Sequence, residues 1–366
     1  MTNEKHPVHL LTPLDNVAPS IHLQKHLYIP ARDDPSALLT TLRDALARTI
    51  TEVPMLAGCV GPNATGAQRG SLLVEGPYLR AGDILLVKDL RDMLMLAQVY
   101  LLHGGLFLFV AIAHTVVDER GLFNILRVWS TRCRGGQDVP LVEPHWTDRK
   151  ALMQQQGKAL SEDTIANLIS PEGEPTSSSK TISGHSVMQS TLPPSSVGPA
   201  VFFFSNSSLA RLKLAASATI AGQSSPWIST NDALCALFWC SITRARAGES
   251  SDNNIITTVS YFNMMIDCRS RLLPPLPADY IGNSVLATKT HATFGYLLSS
   301  DPSRLADVAS MLRTSLLAVN DTYIKDLIGT IRSAPNISSV TRPAYPSFQR
   351  NVACTSWANQ AYYELD

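Results

Sequence analysis

No apolar run in this chain reaches the ~20 residues that a helix needs to cross a bilayer, which argues against a membrane protein. Neither sign of charge is in excess. With 30 Lys plus Arg against 30 Asp plus Glu, and no long run of one sign, the footprint of a nucleic-acid or anionic-surface binder is missing. The expected partner is a small molecule that needs little electrostatic steering. The six cysteines (Cys59, Cys133, Cys235, Cys240, Cys268, Cys354) contain no C-x-x-C pair, so they read as reduced thiols of a cytoplasmic protein. Residues 1–19 carry Pro7, Pro13 and charges instead of a basic region followed by an apolar core, so they are not a secretory signal. The G-x-S-x-G elbow, the Walker loop, G-x-G-x-x-G and H-E-x-x-H are all absent, which sets aside the chemistries they mark.

What is present is apolar material for a large core. At 366 residues and 45% hydrophobic composition the chain is expected to split into two domains. The stretch that organises it runs from Leu106 to Trp129. Leu106–Ala113 is an uncharged run rich in β-branched and aromatic residues, which predicts a strand buried on both faces. Beyond it, Leu122, Ile125, Leu126 and Trp129 fall at i, i+3, i+4, i+7 and predict a helix. His114 stands at the polar exit of the strand, four residues before Asp118. An imidazole held there can serve as a general base near neutral pH. A metal at His114 would need more ligands than Asp118 and Glu119 supply, so none is expected.

Elsewhere, His6–Ile29 predicts one or two opening strands. Pro35 opens a helix whose apolar face is Leu38, Leu39, Leu42, Ala45, Leu46, Thr49 and Ile50, ended by Pro54. Pro54–Val60 reads as a strand entry, and residues 70–89 supply one or two more strands, with Ile84–Val87 the most apolar. The Ser-, Thr- and Pro-rich region 172–199 is the predicted linker between domains at 1–171 and 200–366. After it, Val201–Ser205 is expected to be a buried strand and Ser208–Ala218 a short helix. Ser229 with Asp232 predicts the cap of a longer helix with a stripe of Leu234, Leu237, Phe238 and Ile242, closed by Gly248. Ile255–Ile266 is strand-like, and strand periodicity extended to Asp267, Arg269 and Arg271 puts them on one side. A last helix, in one or two pieces, is expected over residues 303–326. A final strand is expected at Asn351–Trp357.

His114-Thr115-Val116-Val117-Asp118, Asp267–Arg271 with the following prolines and Tyr280-Ile281-Gly282-Asn283, and Thr355-Ser356-Trp357 with Tyr363–Asp366 resemble the signature segments of the BAHD acyltransferases. The fungal, trichothecene acetyltransferase-like branch is the most similar. Leu11–Asp15 and Pro54–Gly58 also match, so the resemblance runs from near residue 10 to the last residue.

It implies an α/β fold of two chloramphenicol-acetyltransferase-like domains, each a mixed sheet with flanking helices, around a shared channel. It implies an O-acyltransferase, and within that class an O-acetyltransferase, that uses acyl-CoA such as acetyl-CoA as co-substrate with no bound cofactor. The acceptor is a hydroxyl or amine on a fungal secondary metabolite, and the protein is expected to be a cytoplasmic monomer without nucleic-acid or membrane partners.

His114 would be the base. The resemblance pairs Asp118 with Arg269 or Arg271 and marks Asp366, the first letter of the family's D-F-G-x-G, with the catalytic set. Thr355 and Ser356, before Trp357, can donate to a developing oxyanion, although strand-end hydroxyls also bond backbone. Asp267 and Asn283 are expected to support structure. Two departures stand out. Glu119 replaces the usual glycine, which would strain a backbone requiring positive φ. The chain stops at Asp366, so the second domain is expected to lack its usual final elements, and the alternative is a truncated, non-catalytic remnant that at most binds a ligand. Ala113 before His114 separates the chain from the double-His condensation domains that share the fold.

Overall fold

A computed structural model describes residues 8–30, 35–64, 68, 70–76, 84, 94–102, 105–135, 140–160, 198–217, 227–249, 255–337 and 350–365. The expected strand forms as β6 (Gly105–Ala113), in the middle of an antiparallel sheet between β2 (His22–Pro30) and β5 (Met95–Leu102). The register runs from His22 opposite Ala113 to Pro30 opposite Gly105. Against one face pack α2 (Pro35–Glu52) and α3 (Glu119–Cys133). Leu42, Leu46, Leu122, Ile125, Leu126 and Trp129 are buried there with the strand residues. The Trp129 Nε1–H donates to the Leu42 carbonyl at 3.0 Å, so the one polar atom of that indole is satisfied inside the core. A small sheet of β1 (His9–Leu10), β4 (Leu72–Glu75) and β3 (Cys59–Pro62) closes one end. The short α1 (Pro13–Val17) begins with a reciprocal Thr12–Asp15 capping box, and α4 (Lys150–Met153) lies further on.

The second half is built on β7 (Val259–Asp267). It pairs in parallel with β10 (Val352–Cys354) and antiparallel with β8 (Val285–Ala287) and β9 (Thr290–Thr293), giving a mixed sheet. Helices α5 (Asn206–Ser217), α6 (Thr230–Glu249), α7 (Phe294–Leu298) and α8 (Arg304–Ala318) surround a core centred on Trp239 and Phe262. Asp232, bonded to Ser229 at the start of α6, also forms a buried ion pair with Arg313 of α8. The last long helix, α9 (Asp321–Ser333), carries the incoming chain from the first half. The Lys158 N–H donates to Asp326 Oδ1 and the Leu160 N–H to Thr330 Oγ1, each at 2.8 Å. The backbones touch: a Cβ on Gly157 would fall 2.1 Å from the Lys325 carbonyl oxygen, so only glycine fits.

Several expectations need correction. Val201–Ser205 forms no strand, and Val201 and Phe203 are 97% and 91% exposed. A short apolar run does not by itself say what will cover it. The stripe of α6 is rotated: Ala233, Ala236, Trp239, Cys240 and Thr243 are buried, whereas Leu234, Leu237, Phe238 and Ile242 are only partly covered. Small residues on that face let α6 pack closely on its neighbours. Pro54–Ala57 is a 3₁₀ turn before β3. Strand β5 was not expected at all. The chain turns into a 3₁₀ helix at Arg269–Arg271, so strand periodicity ends and Asp267, Arg269 and Arg271 do not share a side. Residues 85–87 of the predicted apolar strand, and 172–197 of the predicted linker, lie outside the described residues.

Candidate active site

β6 ends at Ala113 and places His114 at the mouth of a tight turn, in which the Val116 N–H donates to the Ala113 carbonyl at 3.0 Å. The His114 backbone is fixed on both sides. Its N–H donates to the Ile21 carbonyl at 2.7 Å, and its carbonyl accepts from Asn283 Nδ2 at 2.8 Å. The imidazole itself is uncommitted at one end, because Nδ1 is buried and finds no hydrogen-bond partner among the described residues.

Asp118 makes its hydrogen bonds to groups other than that ring. It is the N-cap of α3 and fully buried, and its Oδ1 accepts from the Gly121 N–H at 2.8 Å. Arg269 clasps it with both arms: Nη2 donates to Oδ1 and Nη1 to Oδ2, each at 2.8 Å, while the Ser284 N–H donates to Oδ2 at 2.8 Å. Burial alone would raise the pKa of this carboxyl. The Arg269 charge and the donors from Arg269, Ser284 and Gly121 outweigh it and hold the group below the usual carboxylate range. Arg269 also donates to Asp267 Oδ1 and to the carbonyls of Tyr280 and Gly282, so its planar fork is used almost completely.

Of the two candidate partners, then, Arg269 makes the pair. Arg271 lies elsewhere, donating to the carbonyls of Leu316 at 2.8 Å and Val319 at 2.7 Å, where a cation satisfies the C-terminal end of α8.

A second buried ion pair stands beside the first. Asp15 accepts from Arg149 Nε at 3.0 Å, and from the Asn283 N–H and Nδ2 at 3.0 and 2.9 Å. Arg149 reaches on to the Val116 carbonyl at 2.8 Å. The turn from His114 to Asp118 is thus held by three side chains, those of Asn283, Arg149 and Arg269, besides the backbone of Ile21 and Ser284. Asn283 holds the backbone of this turn. Arg149 was missed, and its sequence neighbourhood, Trp146–Lys150, contains nothing periodic or motif-like that could have found it.

Thr355, Ser356 and Trp357 follow β10 on an exposed loop. Among the described residues neither hydroxyl bonds another group. The Trp357 ring lies 3.6 Å from the Lys25 ammonium, and Lys25 pairs with Glu119. Glu119 occupies the first helical position of α3, so the strain expected from a positive φ does not arise. Asp366 lies outside the described residues. Among those described, no helix is long and apolar enough to cross a membrane, and no group of three or more His, Cys, Asp or Glu could hold a metal ion.

A family model described as the Transferase family matches residues 86–366. The chain belongs to this family, the BAHD acyltransferases. Among BAHD relatives, acyltransferase BOA11 of Botryotinia fuckeliana is 25% identical over 97% of this chain and 84% of its own length. O-acetyltransferase anaAT of Neosartorya fischeri is 29% identical over 39% of this chain and 32% of its own length. The crystal structure of F. graminearum TRI101 with coenzyme A and deoxynivalenol superposes with a TM-score of 0.75 at 20% identity, covering 98% of this chain and 86% of that one. The mixed α/β fold is therefore that of a BAHD enzyme, and the protein is an acyltransferase.

Proposed function

We propose that this chain is an acyl-CoA-dependent O-acyltransferase that moves an acetyl group from acetyl-CoA to a hydroxylated fungal secondary metabolite, with His114 as general base. The observation that carries the reading is the orientation of the turn after β6. Asp118 is saturated by Arg269, Gly121 and Ser284, which leaves the His114 ring free to take a proton while its backbone is pinned at both the N–H and the carbonyl. The names of BOA11 and anaAT, and the coenzyme A bound to TRI101, support the choice of donor and reaction class.

In this mechanism the acceptor hydroxyl gives its proton to the imidazole as its oxygen attacks the thioester carbonyl. A C–O bond forms, and the carbonyl electron pair moves onto oxygen as an oxyanion. Thr355 and Ser356 carry unengaged hydroxyls that can donate to that charge. Collapse of the intermediate breaks the C–S bond, and the imidazolium returns the proton to the coenzyme A thiolate. The cores around Trp129 and Trp239, drawn mainly from 1–171 and from 200–366, support a division into domains there joined by 172–199, with Leu14 and Leu152 sharing a third core with the second half.

The test is thiol release from acetyl-CoA in the presence of a panel of hydroxylated metabolites. His114→Ala should reduce turnover by roughly 10²–10⁴, the usual worth of a positioned base. No thiol release with any acceptor, or release that survives His114→Ala, sinks the reading.

A further inference from the structure

Strand β2 alternates its side chains, and the face that packs Leu23, Leu27 and Ile29 against the first core also carries Lys25. A lysine only 8% exposed on an apolar face requires compensation for its lost hydration. That compensation comes from two distant parts of the chain. The ammonium pairs with the Glu119 carboxylate, lies 3.6 Å from the centre of the Trp357 ring and 4.6 Å from that of Tyr362. Tyr362 donates its hydroxyl to Glu119 and meets Phe123 edge-on, with ring centres 5.1 Å apart.

Each member of this cluster leads to a part of the proposed active site. Lys25 belongs to the strand bonded to β6 along its whole length, at whose end His114 stands. Glu119 directly follows Asp118. Trp357, itself 47% exposed, directly follows Thr355 and Ser356 on an exposed loop that is also tied to α3 by a long 3.4 Å bond from Arg120 to the Asn359 carbonyl.

We propose that Lys25, through Glu119 and the rings of Trp357 and Tyr362, is a positioning residue that sets the Thr355–Ser356 hydroxyls against the His114 strand. It touches neither substrate in this scheme. The inference rests on the acyltransferase reading above and deepens it, by identifying what fixes the oxyanion donors relative to the base.

The experiment compares Lys25→Met, which keeps the length of the stem and removes the charge, with Lys25→Arg, which keeps a cation over the rings. Lys25→Met should lower kcat for acetyl transfer about 10- to 100-fold, a large part of what losing an oxyanion donor costs, with KM for both substrates changed less than about threefold. Lys25→Arg should recover most of the loss. Hydrogen exchange at the amides of residues 355–363 should quicken about tenfold or more in Lys25→Met, with β7 unchanged.

Should Lys25→Met fail to fold, Glu119→Gln carries the same expectations, because a neutral amide no longer balances the charge of the ammonium. Unchanged kcat in a folded variant, or a loss that Lys25→Arg does not recover, overturns the proposal. If the wild-type chain transfers no acyl group, the acyltransferase reading has failed. The exchange series then decides separately whether Lys25 holds the loop, quickened exchange supporting it and unchanged exchange rejecting it.

Discussion

A carboxylate that already accepts four hydrogen bonds from an arginine and two backbone amides has little left to offer an imidazole, and Asp118 is such a group. Its contribution is to hold the turn, and the sign of its pH dependence follows. The folded pKa lies below the ordinary value, so the stabilisation is fully present above the unfolded pKa, ~3.9, and is lost as pH falls through the folded value. Asp118→Asn leaves the buried Arg269 with only the half-exposed Asp267 as counter-charge, and losing one partner of a buried pair typically costs about 3–5 kcal/mol. The melting temperature should drop well below wild type at pH 7, and the gap between the two proteins should narrow on titration toward pH 3. Activity should fall with stability, and the acid limb of the activity profile, where the base takes up a proton, should stay where it is. A limb displaced to lower pH, with the melting temperature unchanged, would show that Asp118 acts on the ring instead.

At the scale of elements, the legible parts were those whose burial follows from their own period. The strand before His114 and the helix after it were readable because β6 is apolar on both faces and α3 has a clean 3.6-residue stripe. Val201–Ser205 was not, because whether an apolar run is covered depends on what the rest of the chain brings to it. Strand β5 was overlooked for a different reason: Met95–Leu102 mixes exposed and buried residues without alternating, and the Gly104–Gly105 pair that marks the hairpin after it went unused. The choice between Arg269 and Arg271 could not be read either, since it depends on where a strand gives way to a 3₁₀ turn.

That turn separates two arginines, two positions apart, into different tasks, and the difference is measurable. Arg269→Met strands the buried Asp118 charge and should cost about 3–5 kcal/mol. Arg271→Met removes donors from two carbonyls at the end of α8 and should cost closer to ~1–3 kcal/mol. Urea denaturation of the two variants gives the comparison, and equal losses would contradict the division of tasks.

Across the whole molecule, the His114 turn belongs to the first half by sequence but is largely held by the second. Arg269 grips Asp118 and Asn283 grips the His114 carbonyl, while Arg149, which binds the Val116 carbonyl, is joined to Asn283 through Asp15. The halves also meet at the Ile281 N–H, which donates to the Trp146 carbonyl at 2.6 Å, and at the Arg127–Asp279 ion pair. In the proposed mechanism the base is therefore aligned only when the halves are docked, and its anchors act on one short turn. Anchors that share a single target do not act independently, because once the turn has been released a second loss finds less to undo. Asn283→Ala and Asp118→Asn should each lower kcat, and the double variant should lose less than the product of the two factors, with a coupling of about 0.5–3 kcal/mol in activation free energy. Measuring kcat for the four proteins at a temperature where all remain folded completes the cycle. Strict multiplicativity would mean that the two anchors hold separate parts of the site, and the turn from His114 to Asp118 would not be the single unit that its hydrogen bonds describe.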